Sequence, residues 1–271
     1  MSSVLERILA AKRAEVEQQK KAVASEPLME RAASTPPPRS LAQALRQRRP
    51  AIIAEIKRAS PSRGPIRPEL DCAALARQYA QAGAAAVSVL TDRHFEGSLA
   101  DLEAARAVVN LPLLRKDFIF DPYQLYQARA HGADAVLLIA AMLKPAHLAD
   151  LYRQAGDLGL SAVVEVHSQT EFEQALKVGP EVVGINSRDL HTFAVDMTLT
   201  ERLLGGYRGS ALIIAESGIE SAADLRRLAR AGAGAFLVGE SLLRGDAPAA
   251  RLAELIAEFA RLEEGKANQA Q

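Results

Sequence analysis

Charged residues interrupt runs that would otherwise read as buried strands. In IIAEIK (52–57), Glu55 and Lys57 break an apolar series two positions apart. Side chains alternate across a strand, so these two share one face while Ile52, Ala54 and Ile56 share the other. Charges in a buried strand are costly to desolvate and persist there as an ion pair or as a working site. This strand alone admits both readings. The Ser-Pro-Ser-Arg-Gly-Pro run that follows breaks the chain into a loop, which puts both charges near the strand's C-terminal end.

The pattern recurs. Lys116 stands late in LLRKDF (113–118), ahead of Phe118, and Glu165 late in SAVVEV (161–166). Asn186 closes VVGIN with Arg188 just beyond it, and Glu216 closes ALIIAE ahead of Ser217 and Gly218. By parity, Lys116 shares a face with Leu114, Glu165 with Val163 and Glu216 with Ile214. Lysines and glutamates facing one another in a partly closed space shift each other's pKa and can give and take protons. The Ser217–Gly218 turn precedes a helix start, and Gly239 ends the last apolar run. Backbone N–H groups there can face an anion, although the same glycines also suit plain tight turns.

These residues need a frame that brings strand ends together. Apolar runs at 52–57, 86–91, 113–118, 135–140, 161–166, 182–187, 211–217 and 235–240 alternate with Ala- and Leu-rich stretches of helical spacing. Several of those stretches close on a glycine, at Gly83, Gly132, Gly179 and Gly232, as helix C-termini do. Continuously apolar strands are the mark of parallel strands covered on both faces. Eight strand–helix units without an internal linker predict an α/β fold, a (β/α)8 TIM barrel, whose chemistry sits at the C-terminal ends of the strands. A doubly wound open sheet is the alternative, but GAGAFL (232–237) precedes a strand, so it is a turn and not a dinucleotide loop. Ahead of the barrel, Leu5, Ile8, Leu9 and Val16 mark an amphipathic helix that suits packing or covering and carries no chemistry of its own. TPPPRS (35–40) is a stiff connector and Ser40–Gln47 a short helix. The expected organisation is extra N-terminal helices over 1–48, the barrel over 49–262 and a polar tail over 263–271.

Composition narrows the function. The chain has 271 residues with 33 basic and 33 acidic, so no net field attracts nucleic acid or an anionic membrane. Cys72 is the single cysteine and falls in a predicted helix, which excludes an intramolecular disulfide and makes a poor nucleophile. No apolar run approaches the ~20 residues of a membrane span. The N-terminus has no signal-peptide core. The expectation is a soluble cytoplasmic protein. His94, His131, His147, His167 and His191 are scattered without metal-ligand spacing, so no metal is expected. His167 follows Glu165 closely enough to touch the same site, but a lone histidine is more often structural.

The motifs IAEIKRASPSRGPIR, SVLTD, RKDFIFDPYQLYQARAHGADAVLLIAA, VVEVHS, GINSRDL, AESGI and FLVGESLLR together resemble the indole-3-glycerol phosphate synthase family. The resemblance implies a cofactor-free step of tryptophan biosynthesis. In it, 1-(2-carboxyphenylamino)-1-deoxyribulose 5-phosphate closes to an indole with loss of carbon dioxide and water. It further implies that Lys116 is the general acid of ring closure and Glu165 the acid/base of dehydration. Lys57 would be a second proton donor or carboxylate partner, and Glu55, Asn186 and Glu216 orienting groups. Ser60 and Arg188 would hold the substrate's anionic groups; Ser217, Gly218, Gly239, Glu240 and Ser241 would hold its phosphate. Phe118, Leu137, Leu190 and Phe95 would line the pocket for the anthranilate ring. TDRHFEGS departs from the family pattern, with Phe95 alone where two adjacent aromatics are usual. The competing readings are another phosphosugar barrel such as phosphoribosylanthranilate isomerase, disfavoured by Glu-Ile-Lys on the first strand, and a silent barrel that only binds a phosphorylated metabolite, which would have lost the Lys–Glu set.

Overall fold

The computed structural model describes residues 4–60, 64–189 and 192–267. Eight strands form a closed, all-parallel barrel: β1 (Ile52–Ile56), β2 (Ala86–Leu90), β3 (Leu113–Lys116), β4 (Ala135–Ile139), β5 (Ser161–Val166), β6 (Val182–Asn186), β7 (Leu212–Glu216) and β8 (Ala235–Val238). Each strand pairs with its sequence neighbour, and β1 pairs with both β2 and β8, which closes the ring. This is the predicted (β/α)8 barrel, at nearly the predicted positions.

Parity divides the strands as expected. Ile52, Ala54 and Ile56 join the outer core beneath the helices, with Val87, Val136, Val164 and Ile213. Ile53, Leu114, Leu137, Val163, Ile214 and Leu237 fill the barrel interior. A parallel strand buried on both faces has nowhere to put a charge except at its ends. The polar residues therefore collect at the open C-terminal mouth.

The helices that return the chain are punctuated by their own sequence. Asp71 caps the helix Cys72–Gln81, while Ser98, Asp121 and Ser221 form capping boxes at the starts of Leu99–Arg106, Pro122–Ala130 and Ala222–Ala231. Gly83, Gly132, Gly179 and Gly232 all take positive φ just past helix ends, where a Cβ would be strained.

The N-terminal extension consists of α1 (Val4–Ala22), α2 (Ser25–Ser34) and α3 (Leu41–Arg46). It closes both ends of the barrel. Leu41, Ala42 and Leu45 of α3 join the interior cluster with Ala51, Ala86, Ala135 and Val182, residues at the strand starts. Ile8 of α1 joins the same cluster but lines the cavity at the mouth. Asp134, buried just before β4, accepts from the backbone N–H groups of Arg39 and Leu113 and from the Arg106 guanidinium, which anchors the connector to the barrel floor. The last helix, Pro248–Ala267, runs through residues 263–267, where the sequence suggests a polar tail. Arg49 pairs with Glu263 at 3.0 Å, and Glu and Lys are good helix formers, so polarity there does not end the helix.

Candidate active site

Beyond β1 the chain makes a short antiparallel pair, Ala59–Ser60 with Gly64–Pro65, at the rim of the mouth. Within the ring of strand ends lies a cavity of about 560 Å³. At its floor Lys116 Nζ donates to Glu216 Oε2 at 2.7 Å and to Glu165 Oε2 at 3.1 Å, joining β3, β7 and β5. Both carboxylates are almost wholly buried, and the lysine side chain keeps 14% of its surface open to the cavity. Lys57 Nζ lies 2.6 Å from Glu55 Oε1 at the end of β1. The sequence-predicted charges therefore converge, but as two sets: Lys57 with Glu55, and Lys116 between two glutamates.

Burial alone would push the Lys116 ammonium pKa down; the carboxylates of Glu165, Glu216 and Glu55 more than reverse this and hold it above the ordinary lysine value. Burial would raise Glu165, but Lys116 and His167 pull it well below the usual carboxylate range. Glu216 moves the other way, because burial and the adjacent Glu165 charge together outweigh Lys116 and raise it. Two like charges around one ammonium push their pKa values apart, which leaves one carboxylate firmly ionised and the other able to take a proton more easily.

His167 belongs to this group. Its Nε2 stands 3.3 Å from Glu165 Oε1 and its Nδ1 3.5 Å from Glu171 Oε2, with the side chain 8% exposed. Burial disfavours the imidazolium, but Glu165 and Glu171 override it and raise the pKa to about 9. The histidine that reads as structural in the sequence thus sits against a candidate acid/base.

At β6 and β7, Asn186 Oδ1 accepts from Ser217 Oγ at 2.8 Å and from the Arg188 N–H at 3.0 Å. Ser217 and Gly218 both take left-handed backbone, φ 68° and 78°, in the turn that faces the cavity. A Cβ on Gly218 would come within 2.7 Å of Val195 Cγ1 and 2.8 Å of Met197 Cγ, so both conformation and packing require glycine. Gly239 lacks such a backbone demand. Its missing Cβ makes room for Glu55, whose Cβ would otherwise lie 2.9 Å away. Arg188 reaches Glu240 Oε2 at 3.2 Å, and Ser241 Oγ donates to the Ile219 carbonyl, tying the β8 turn to the β7 turn. With its hydroxyl committed, Ser241 can meet an anion only through its backbone.

The apolar wall comes from Phe118 and Phe95, whose ring centroids are 6.4 Å apart, with Leu137 and Ile139 beside them. Ser60 is buried and lines the cavity rim. Leu190 lies outside the described residues. Sequence reasoning missed Ile8, Ile139, Val195, Met197, Leu237 and Arg244, all of which line the cavity. It also missed Gly184 of β6, where a Cβ would overlap Glu216 Oε1 and meet Val163 Cγ1 at 3.3 Å. A glycine inside a strand was the available signal.

A family model for indole-3-glycerol phosphate synthase matches residues 5–255. The chain is 46% identical over 256 residues to the indole-3-glycerol phosphate synthase of Mycobacterium ulcerans strain Agy99, and 45% identical to that of Mycolicibacterium smegmatis. Each alignment covers 94% of both chains. The chain belongs to the indole-3-glycerol phosphate synthase family. Its activity is accordingly that of the lyase: ring closure, decarboxylation and dehydration to indole-3-glycerol phosphate in tryptophan biosynthesis. Among solved structures, thiamine phosphate pyrophosphorylase from Pyrococcus furiosus superposes with a TM-score of 0.58 at 15% identity, over 81% of this chain and 99% of that one. N-acetylmannosamine-6-phosphate 2-epimerase from Clostridium perfringens gives 0.58 at 16%, over 75% and 90%. At such identities these share the barrel fold alone.

Two outcomes follow from this geometry. Gly184→Ala should push Glu216 off Lys116 and lower synthase turnover by about 10- to 100-fold, with a thermal midpoint shift of only a few degrees; retained turnover would show that Glu216 has room to spare. The second concerns pH. The folded His167 pKa lies above the unfolded value of 6.5, at about 9, so its stabilising contribution is complete below the unfolded pKa and is lost as pH rises through the folded one. The difference in urea midpoint between wild type and His167→Gln should therefore shrink across that window, and a constant difference would mean that the ion pairs with Glu165 and Glu171 contribute nothing.

Proposed function

We propose a division of labour within this synthase in which Lys116 is the general acid of ring closure and Glu165 the acid/base of dehydration. The observation that carries it is the position of Lys116: its ammonium stands between two buried carboxylates in a cavity also lined by Phe95, Phe118, Gly218 and Gly239. The substrate has the matching groups, an anthranilate ring, a ketone and a phosphate.

Ring closure builds negative charge on the ketone oxygen as the aromatic carbon attacks. A lysine held charged can donate a proton there, and Glu216, with its raised pKa, can share protons with it through their 2.7 Å contact. Loss of carbon dioxide then restores electrons to the ring system. Dehydration follows, in which a hydroxyl leaves with a proton and a ring proton is removed to make the indole aromatic. Glu165 approaches from β5, on a different side from Lys57, and Lys116 and His167 keep it ionised as a base must be. Lys57, paired with Glu55, supplies a second cation near the substrate carboxylate and a second proton donor. Asn186 and Glu55 orient, and Phe118, Phe95 and Leu137 hold the ring. Arg188 and Ser60 serve the anionic groups, while the backbone around Ser217, Gly218, Gly239, Glu240 and Ser241 serves the phosphate. Balanced charge and one buried cysteine support a cytoplasmic enzyme whose ligand is a small phosphorylated molecule, not nucleic acid or a membrane.

Lys116→Met should lower kcat by about 100- to 10,000-fold while substrate affinity stays within a few-fold, since the lost interaction matters most in the transition state. A loss under about tenfold would move the acid role to Lys57. Glu165→Gln should slow indole formation more than carbon dioxide release, so that a decarboxylated, non-aromatic intermediate accumulates. Single-turnover reactions following carbon dioxide and indole fluorescence separately would show this. Equal slowing of both signals with no intermediate would place Glu165 at or before ring closure.

A further inference from the structure

Lys12 of α1 is a charged residue that the mechanism above does not use, yet its side chain is only 1% exposed. It reaches across the rim of the mouth. Its Nζ lies 2.7 Å from Asp92 Oδ2 and 3.0 Å from Asp117 Oδ1, both carboxylates being 1% exposed or less. Glu15 Oε1, one turn along the same helix, is 3.1 Å away. Burial pushes the lysine pKa down, but Asp117 and Asp92 more than reverse this and keep it an ammonium.

The two aspartates are what give Lys12 meaning. Asp92 follows β2 and accepts from the His94 N–H at 2.8 Å, and its own carbonyl accepts from the Phe95 N–H at 3.0 Å. It therefore shapes the turn that carries Phe95. Asp117 follows β3 and accepts from the Phe118 N–H at 2.8 Å, from Thr91 Oγ1 at 2.7 Å and from Arg115 at 2.8 Å. It therefore fixes the backbone that carries Phe118. The two phenylalanines of the cavity wall are each held by one aspartate, and a single ammonium from the N-terminal helix joins the pair.

We propose that Lys12 is a positioning residue for the aromatic wall: by bridging Asp92 and Asp117 it sets Phe95 and Phe118 at the spacing that clasps the anthranilate ring. The inference rests on the assignment of those two phenylalanines to the ring. It gives the N-terminal helix a defined part in recognising one end of the substrate. The phosphate end is borne on turns after β7 and β8 that Lys12 does not touch.

The test separates the two ends in the full-length enzyme, with free anthranilate and inorganic phosphate as inhibitors alongside steady-state kinetics. Lys12→Met should raise KM and the anthranilate inhibition constant by about tenfold, while kcat falls less than about threefold and phosphate inhibition is unchanged. A buried carboxylate pair left without its cation can also unfold a protein, so Lys12→Met with Asp92→Asn is measured beside it; the asparagine keeps the acceptor for His94 and removes the orphaned charge. This double variant should fold and show the same split between anthranilate and phosphate. Equal loss of both inhibitors, or no loss of either, in whichever variant folds would overturn the proposal, as would failure of both to fold, which would make Lys12 a stability element alone. Phe118→Ala serves as the reference. If it leaves anthranilate inhibition intact, the ring assignment itself is wrong; if it weakens inhibition and the Lys12 variants do not, the positioning role is wrong.

Discussion

The site depends on one ammonium held between two buried carboxylates. Lys116, Glu165 and Glu216 come from three strands, and none could be buried alone without a large desolvation cost. Their mutual compensation makes each available in a defined charge state. Glu165 has both Lys116 and His167 as cationic partners while Glu216 has Lys116 alone, so the cluster is uneven: Glu216 is pushed toward protonation and Glu165 away from it. A symmetric ion pair would have no such tension. Two carboxylates with unequal cationic partners in a closed space have different proton affinities, as acid and base roles require.

That cluster dictates glycine placement around it. Gly184 opposes Glu216 and Gly239 opposes Glu55, so one position on β6 and one just past the end of β8 are emptied to admit carboxylates that point inward. The barrel interior is otherwise tightly filled by Ile53, Leu114, Leu137, Val163 and Ile214. Charge at the mouth therefore rests on an apolar plug beneath it, which keeps water from entering below the cluster and fixes the strands whose register sets its distances.

Much of this was legible in the sequence, for a physical reason. A parallel barrel strand is apolar on both faces, so any charge in it stands out, and alternation tells which charges share a side. Glu55, Lys57, Lys116, Glu165, Asn186 and Glu216 all line the cavity on that basis. The pairing among them was not legible, because which ammonium meets which carboxylate depends on strand tilt and side-chain reach. Lys57 could have served Glu165 but instead meets Glu55. His167 reads as a lone histidine, although both its partners are close along the chain, Glu165 two residues before and Glu171 four residues after; that the ring meets both depends on the turn from β5 into the next helix. The helix over residues 263–267 is hidden because polar composition there suggests a tail, although Glu and Lys favour helix and Glu263 has a partner in Arg49.

The N-terminal extension shows the limit of periodicity most clearly. Its apolar spacing identifies a helix that packs on something, and Ile8 does pack into the mouth. Periodicity treats the lysines between those apolar positions as a solvated face, and for Lys20 and Lys21 that reading is close, since Lys20 keeps 31% of its side chain exposed. Lys12 lies in the same helix and is wholly enclosed. The difference is made by Asp92 and Asp117, two buried carboxylates beyond separate strand ends: Asp117 has a barrel cation in Arg115, whereas Asp92 has beside it only His94, and Lys12 is the ammonium the two share. The barrel thus leaves negative charge at its rim that the extension helps to fill. Hydrophobic contact alone would let α1 slide by a turn at little cost, whereas an ion pair buried at 2.7 Å and 3.0 Å fixes its register. A helix that reads as a cover is therefore keyed to the strand ends beside Lys116, and the same key sets the wall against which the ring must lie.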